Sequence, residues 1–92
     1  MVSSRPFCQT DVDANKFVRI FDPDVDGHEL VWHRDYQNRL VKVVEGEGWQ
    51  FQFDNCLPQP LLPGVEIEIP AGSYHRVLKG WGKLVVEIVE WT

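Results

Sequence analysis

The chain of 92 residues is 43% hydrophobic and carries a net charge of −5. A chain of this length forms one domain with a modest core, because it buries only about 60–65% of the surface that its unfolded state exposes. The negative charge, without any basic run, argues against a nucleic-acid partner. No apolar run approaches the roughly 20 residues of a membrane helix, and the N-terminus lacks the apolar segment of a signal peptide. We therefore expect a cytoplasmic protein without a membrane partner, whose Cys8 and Cys56 are free thiols.

The first third of the chain predicts an arm followed by two strands. Residues 1–15 are polar and form an N-terminal arm with at most one short edge strand, which leaves 16–92 as the domain. Residues 16–21, rich in β-branched and aromatic residues, predict a strand, and the Asp, Pro and Gly residues of 22–27 predict a solvated turn. This turn lacks the downstream glutamate of a calcium loop. Residues 28–35 are expected to return as a second strand.

The remainder is predicted to form further short strands separated by turns. The clearest alternation places Trp49, Phe51 and Phe53 on one face and Gln50 and Gln52 on the other, which we expect to be the solvated face. A proline-rich loop is predicted for 55–63. Strands are predicted at 39–45, 49–54, 65–69, 76–78 and 83–91. No segment has a helical apolar period, so the fold class is all-β, an antiparallel barrel or sandwich.

The stretch from Gly64 to His75 carries the most specific pattern. Gly64 opens a strand, Pro70 ends its hydrogen-bond ladder, and Gly72 permits a backbone conformation that a residue with a Cβ would resist. The spacing matches the cupin motif G-x5-P-x-G-x2-H-x3-N, with Lys79 where Asn is usual. We interpret Lys79 as part of a solvated turn.

A second cupin motif, G-x5-H-x-H-x3-E-x6-G, can be placed on the chain without gaps. Gly27, His33 and Gly46 match, whereas Asp35 replaces the second histidine and Arg39 replaces the glutamate. Residues 16–91 thus resemble a single-domain cupin. The resemblance implies a small antiparallel β-barrel or jelly roll, with the motif histidines lining its interior around one divalent metal.

Under this resemblance the metal ligands are His33, Asp35 and His75. A strand would direct the side chains of residues 33 and 35 to the same face, and two histidines with one carboxylate form the facial set of non-haem iron enzymes. The expected cofactor is a divalent metal: Fe, Mn, Ni or Zn. Arg39 and Tyr74 are the candidate catalytic residues, although Tyr74 also fits a packing role at the mouth of the barrel.

Arg39 complicates this prediction because a guanidinium cannot ligate a metal. Replacing a carboxylate by it changes the local charge by two units, and unit charges about 5 Å apart interact by roughly 3 kcal/mol at an effective dielectric constant of about 20. Cation affinity should therefore fall by about two orders of magnitude. Arg39 either pairs with Asp35 and leaves the site empty, or holds an anionic group of a small-molecule ligand.

Three functions are compatible with these residues. The first is a metal-dependent cupin, such as an iron or manganese enzyme acting on a small anion. The second is a metal-free module that binds a small sugar or acid, and the third is a structural or regulatory dimer. Residues 83–91 are apolar on both faces, which predicts a sheet-to-sheet homodimer.

Overall fold

The computed structural model describes residues 7–24 and 26–92, and it is nearly all β. Residues 1–6 of the predicted arm and Val25 of the predicted turn lie outside the described residues. Eight strands follow one another along the chain. They are β1 (Phe7–Asp11), β2 (Lys16–Phe21), β3 (Asn38–Gly46), β4 (Gln50–Phe53), β5 (Gln59–Pro60), β6 (Glu66–Ile69), β7 (His75–Leu78) and β8 (Leu84–Trp91).

The strands form two antiparallel sheets that enclose the core. One sheet has five strands in the order β1-β2-β8-β3-β6, and the other has three in the order β5-β4-β7. The sheets are not hydrogen-bonded into a closed barrel, so of the two predicted architectures the open, jelly-roll-like arrangement is the one observed. The edge strand expected in the arm is present as β1, which pairs with β2.

The core follows from the alternation of apolar residues along these strands. In β8, Leu84, Val86 and Ile88 are buried, and in β6, Ile67 and Ile69 are buried while their neighbours are exposed. Side chains from both sheets meet in one cluster. Its buried members are Phe17, Phe21, Val43, Trp49, Phe51, Leu61, Ile67, Ile69, Leu84, Val86 and Ile88.

The predicted strand at 28–35 is wrong. A short 3₁₀ helix spans His28–Leu30, and the segment touches a sheet only through the isolated pairing of His33 with His75. The segment satisfies its backbone locally instead, since the Val31 amide donates to the His28 carbonyl and the Val31 carbonyl accepts a bond from the His33 ring. Groups used in this way are not available for a ladder.

The predicted loop at 55–63 contains the two-residue strand β5. Gln59 and Pro60 pair with β4 at the edge of the three-stranded sheet. An edge is where a proline is tolerated in a sheet, because its missing N–H faces away from the ladder. Cys8 and Cys56 are exposed free thiols, as predicted. Among the described residues, no helix is long and apolar enough to cross a membrane.

Candidate metal centre

A cavity of about 50 Å³ lies between the two sheets. Most of its wall is the apolar core, including Phe51, Ile69 and Val86. The polar side chains of the wall are Arg19, Glu29, His33, Arg39 and His75. One water needs about 10–15 Å³ of such space, so the cavity has room for several waters or for a ligand of a few heavy atoms.

His33 and His75 are positioned by their own backbones. Each amide donates to the other residue's carbonyl, at 3.0 Å and 2.9 Å. The two residues thus form a hydrogen-bonded antiparallel pair, whose side chains point to the same face. Both imidazoles are buried, at 6% and 3% exposed, and their ring centroids lie 4.4 Å apart.

The turn after β6 places Asp35 beside them. Gly72 has a φ of +83°, the left-handed conformation predicted from the motif, and its amide donates to the Asp35 carbonyl over 2.8 Å. The Ala71 amide donates to the Asn38 side chain. These two bonds hold residues 35–38 against the turn, so Asp35 reaches the histidines although residues 33–35 do not form the predicted strand.

Both imidazoles have a defined tautomer. The Nδ1 atom of His33 lies 2.8 Å from the Val31 carbonyl, and that of His75 lies 2.8 Å from the Ser73 carbonyl. A carbonyl can only accept, so each Nδ1 carries the proton and donates it. With the proton on Nδ1, Nε2 is the nitrogen of each ring that can ligate a metal.

The ligand atoms of His33, Asp35 and His75 lie within 4.8 Å of one another. The Nε2 atom of His75 is 3.3 Å from Asp35 Oδ2. If the His75 imidazole is protonated, its Nε2–H donates to the carboxylate; if it is neutral, both atoms are acceptors and repel at this distance unless a cation lies near them. Two imidazoles and one carboxylate are a donor set that fits a divalent metal.

Arg39 pairs with two carboxylates. Its Nη1 donates to Asp35 Oδ2 over 3.1 Å, and its Nε donates to Glu90 Oε2 over 2.6 Å. The pairing with Asp35 was one of the two outcomes expected, but Glu90 was not foreseen. Its position could have been inferred from the alternation of β8, because Glu90 follows Ile88 by two residues and shares its face.

A second guanidinium, that of Arg19 on β2, also lines the cavity. Its Nη1 is 3.9 Å from Glu29 Oε2, and its Nε donates to Gln9 Oε1 over 3.0 Å. Burial, and then the charge of Arg39, lower the pKa of Arg19 to about 10, so it stays cationic near neutral pH. Neither Arg19 nor Glu29 was predicted from the sequence. Arg19 could have been found from the sequence, because it lies two residues from both Phe17 and Phe21 and therefore shares their inward face of β2.

Burial and the neighbouring charges act on the acids and bases of the site. Burial alone would raise the pKa of Asp35, but the hydrogen bond with His75 and the charge of Arg39 outweigh it and lower the pKa below the ordinary 3.8. Burial lowers the pKa of His33 below the ordinary 6.5. Asp35 is therefore ionised and His33 neutral at pH 7, the states that a metal requires.

Two other candidate residues lie away from the cavity. Tyr74 is 45% exposed and lines an outer groove, not the inner cavity. Its place in the structure therefore gives no support to the predicted catalytic role at the metal centre. Lys79 pairs with Asp26, whose side chain is 90% exposed, as expected for a solvated turn.

The remaining polar residues of interest lie on strand β4 and on the 3₁₀ helix. Gln50 is exposed and Gln52 bonds to the Cys56 carbonyl, as expected for the outer face of β4. The ring of His28 lies tilted against that of His33, with ring centroids 4.7 Å apart. This contact was not predicted, because it depends on the helical turn that replaces the expected strand.

Comparison with known proteins identifies the fold of this chain. No family model matches the sequence, and no curated protein matches it. Among solved structures, a cupin domain from Bordetella pertussis matches over 100% of both chains, with a TM-score of 0.62 and 20% identity. The DMSP lyase DddQ from Ruegeria pomeroyi matches over 84% of this chain with a TM-score of 0.70 and 17% identity.

A third structure, that of FeII HppE, matches over 83% of this chain with a TM-score of 0.60 and 17% identity. The chain spans 37% of the length of the lyase and 41% of HppE. At such identities the likeness is one of fold. The protein is a cupin in fold, and the motif histidines occupy the interior position that the sequence resemblance implied.

Proposed function

We propose that this cupin binds one divalent metal, with His33, Asp35 and His75 as ligands. The observation that carries the proposal is that His33, Asp35 and His75 each bring one ligand atom within 4.8 Å of the other two. The Nδ1 bonds to backbone carbonyls hold both rings in place and leave Nε2 for a metal. A metal ion satisfies all three acceptors together. The structure of FeII HppE, an iron-containing protein of similar fold, supports the proposal.

The charges around the cavity support this proposal. Arg39 was expected to weaken cation binding strongly, yet Glu90 bonds to it over 2.6 Å and offsets its charge. The two guanidiniums of Arg19 and Arg39 face the three carboxylates of Glu29, Asp35 and Glu90. With neutral histidines the cluster has a net charge of about −1, which favours a cation.

The same charges favour a small anion once a divalent cation is present. The cluster then has a net charge of about +1, and three protein ligands leave coordination positions for a further group. Arg39 and Arg19 lie on the wall of the cavity, where they can hold a carboxylate or phosphate oxygen. The cavity of about 50 Å³ restricts that ligand to a few heavy atoms. A bound metal would supply Lewis acidity. The activity that we propose is therefore that of an iron- or manganese-dependent enzyme.

Elemental analysis of untagged protein purified without chelator tests the proposal. We expect near-stoichiometric iron, manganese, nickel or zinc, which is lost in Asp35→Asn because an amide is a much weaker ligand. The control is Glu68→Gln, which removes an exposed carboxylate from β6 and should retain the metal. Absence of metal after incubation with ferrous, manganous, nickel and zinc salts would refute the proposal.

A metal-free binding module is the second candidate, and the ion pair of Arg39 with Asp35 at 3.1 Å favours it. In this alternative the guanidiniums bind an anion directly. Thermal denaturation in EDTA would then show stabilisation by a small carboxylate, with no effect of divalent salts. A purely structural or regulatory role would show neither effect.

We further propose that the outer face of the five-stranded sheet forms a homodimer. Ile20 on β2 is 40% exposed and lies opposite Val85 on β8. Leu40 on β3 lies opposite Val89. Light scattering at micromolar concentration should give the mass of two chains, and the mass of one chain would refute the proposal. The cytoplasmic location and the absence of nucleic-acid and membrane partners stay predictions from the sequence.

A further inference from the structure

The pairing of His33 with His75 creates a second surface on the side opposite the metal centre. Residues that neighbour a buried position in an extended pair project to the other face. The register places Trp32 opposite Arg76 and Arg34 opposite Tyr74. The contacts agree, since the Arg76 guanidinium lies 4.5 Å from the Trp32 ring centroid and that of Arg34 lies 5.3 Å from the Tyr74 ring centroid.

Strand β4 extends this surface by one row. Arg76 Nε donates to the Gln52 side chain over 3.0 Å, and the Asp54 amide donates to the Tyr74 carbonyl over 3.1 Å. An open groove of about 340 Å³ lies here, lined by Trp32, Asp54 and Tyr74. This volume is within the range of about 300–1,000 Å³ that is usual for small-molecule sites, whereas the inner cavity is far below it.

We propose that this groove, which we call the outer groove, binds a saccharide ring that carries a negatively charged substituent. Trp32 and Tyr74 are 42% and 45% exposed, so their rings can pack against the apolar C–H face of a pyranose. The Asp54 carboxylate can accept hydrogen bonds from the sugar hydroxyls. An apolar platform and a hydrogen-bond acceptor for a sugar are thus present in the same groove.

The charges of the surface determine the class of saccharide. The guanidiniums of Arg34 and Arg76 lie over the two aromatic rings that line the groove, and Asp54 lines it too, so the local charge is about +1. A negatively charged substituent is favoured there, and a cation is disfavoured. The same combination of arginine and aromatic rings could stack nucleobases, but the chain carries a net charge of −5, which disfavours a polyanion.

Saturation-transfer difference NMR with D-glucuronate at millimolar concentration tests the proposal in the intact protein. We expect signals on the ring C–H protons, at least fivefold weaker in Trp32→Leu and weaker in Asp54→Asn, a conservative change that preserves the fold. The matched control is Trp81→Leu, which removes a tryptophan that is 77% exposed elsewhere and should leave the signals unchanged. D-glucose should give weaker signals than D-glucuronate.

The result should be the same in EDTA and after metal addition, because the backbone of the His33–His75 pair separates the groove from the metal centre. Failure of the metal site would therefore leave this result unchanged. Absence of signals from D-glucuronate, or equal signals in Trp32→Leu and the native protein, would overturn the assignment. Equal binding of D-glucose would contradict the proposed preference for a negatively charged substituent. Binding of oligouridylate in place of either sugar would contradict the assignment of a saccharide as the ligand.

Discussion

The two faces of the His33–His75 pair differ in nearly every physical respect. On the inner face the imidazoles are 6% and 3% exposed and lie among buried apolar residues. On the outer face, aromatic rings that are more than 40% exposed alternate with arginines. One antiparallel pair thus presents two different surfaces, because successive side chains leave its backbone in opposite directions.

The difference also determines how much each charge matters. Partly buried ion pairs such as Arg39 with Glu90 are screened less by water, so removing one partner changes the charge that the other presents to the site. Exposed charges such as Arg34 are screened by water and salt. Charge substitutions should therefore have large effects on the inner face and small effects on the outer one.

The largest expected effect comes from a reciprocal pair of substitutions on the inner face. Glu90→Gln leaves Arg39 paired with Asp35 alone, so the guanidinium charge falls on a metal ligand, and metal affinity should weaken by about tenfold or more. Arg39→Gln removes the competing cation and should strengthen metal affinity by a similar factor. Competition with a fluorescent chelator measures both dissociation constants.

The outer face provides the control for this pair. Arg34→Gln removes a guanidinium that stacks on Tyr74 without lining the cavity, so it should change metal affinity by less than about twofold. An effect as large as that of Glu90→Gln would contradict the separation of the two faces. If Glu90→Gln and Arg39→Gln shifted affinity in the same direction, the charge argument itself would fail.

A smaller effect is expected from pH on the metal-free protein. The pKa of His33 is lowered by burial from the ordinary 6.5, so below that pH the unfolded state binds more protons than the folded state. The free energy of unfolding should then fall as the pH decreases toward the folded pKa of His33. Asp35, whose pKa lies below 3.8, extends the loss to lower pH as it protonates.

Thermal denaturation in EDTA between about pH 7.5 and pH 4 measures this dependence. His33→Gln should flatten the decrease just below the ordinary histidine pKa of about 6.5, because glutamine does not titrate. The corresponding variant on the outer face, Asp54→Asn, should leave the slope in that range unchanged. A melting temperature that stays constant from about pH 7.5 to pH 5 would contradict the direction of the His33 shift.

The sequence was sufficient for the features that depend on local pattern. Period-2 alternation predicted β4 and β6, and short apolar runs between turn residues predicted β2, β3 and β8. The φ of +83° at Gly72 was predicted because that turn needs a residue without a Cβ. The spacing from Gly64 to His75 indicated the fold, which the solved structures support.

Local pattern failed where long-range contacts decided the outcome. Residues 28–35 were predicted to form a strand, but the segment pairs with a sheet at His33 alone, and its first turn bonds to itself. Asp35 reaches the histidines through the bond from Gly72, not through strand geometry. A strand needs a neighbouring strand along its length, and no local sequence pattern specifies one.

The sequence by itself determined the all-β class, the turn glycines and the identity of the three candidate ligands, because these depend on residue types at fixed spacing. Only the tertiary structure decided which charges surround them. Glu90 is 51 residues from Arg39 and bonds to it because β3 and β8 pair in register. The outer groove likewise exists only because Trp32, Asp54 and Tyr74 are brought together from three separate segments. Electrostatics and concave surfaces depend on distances in space, which the pairing of distant strands determines.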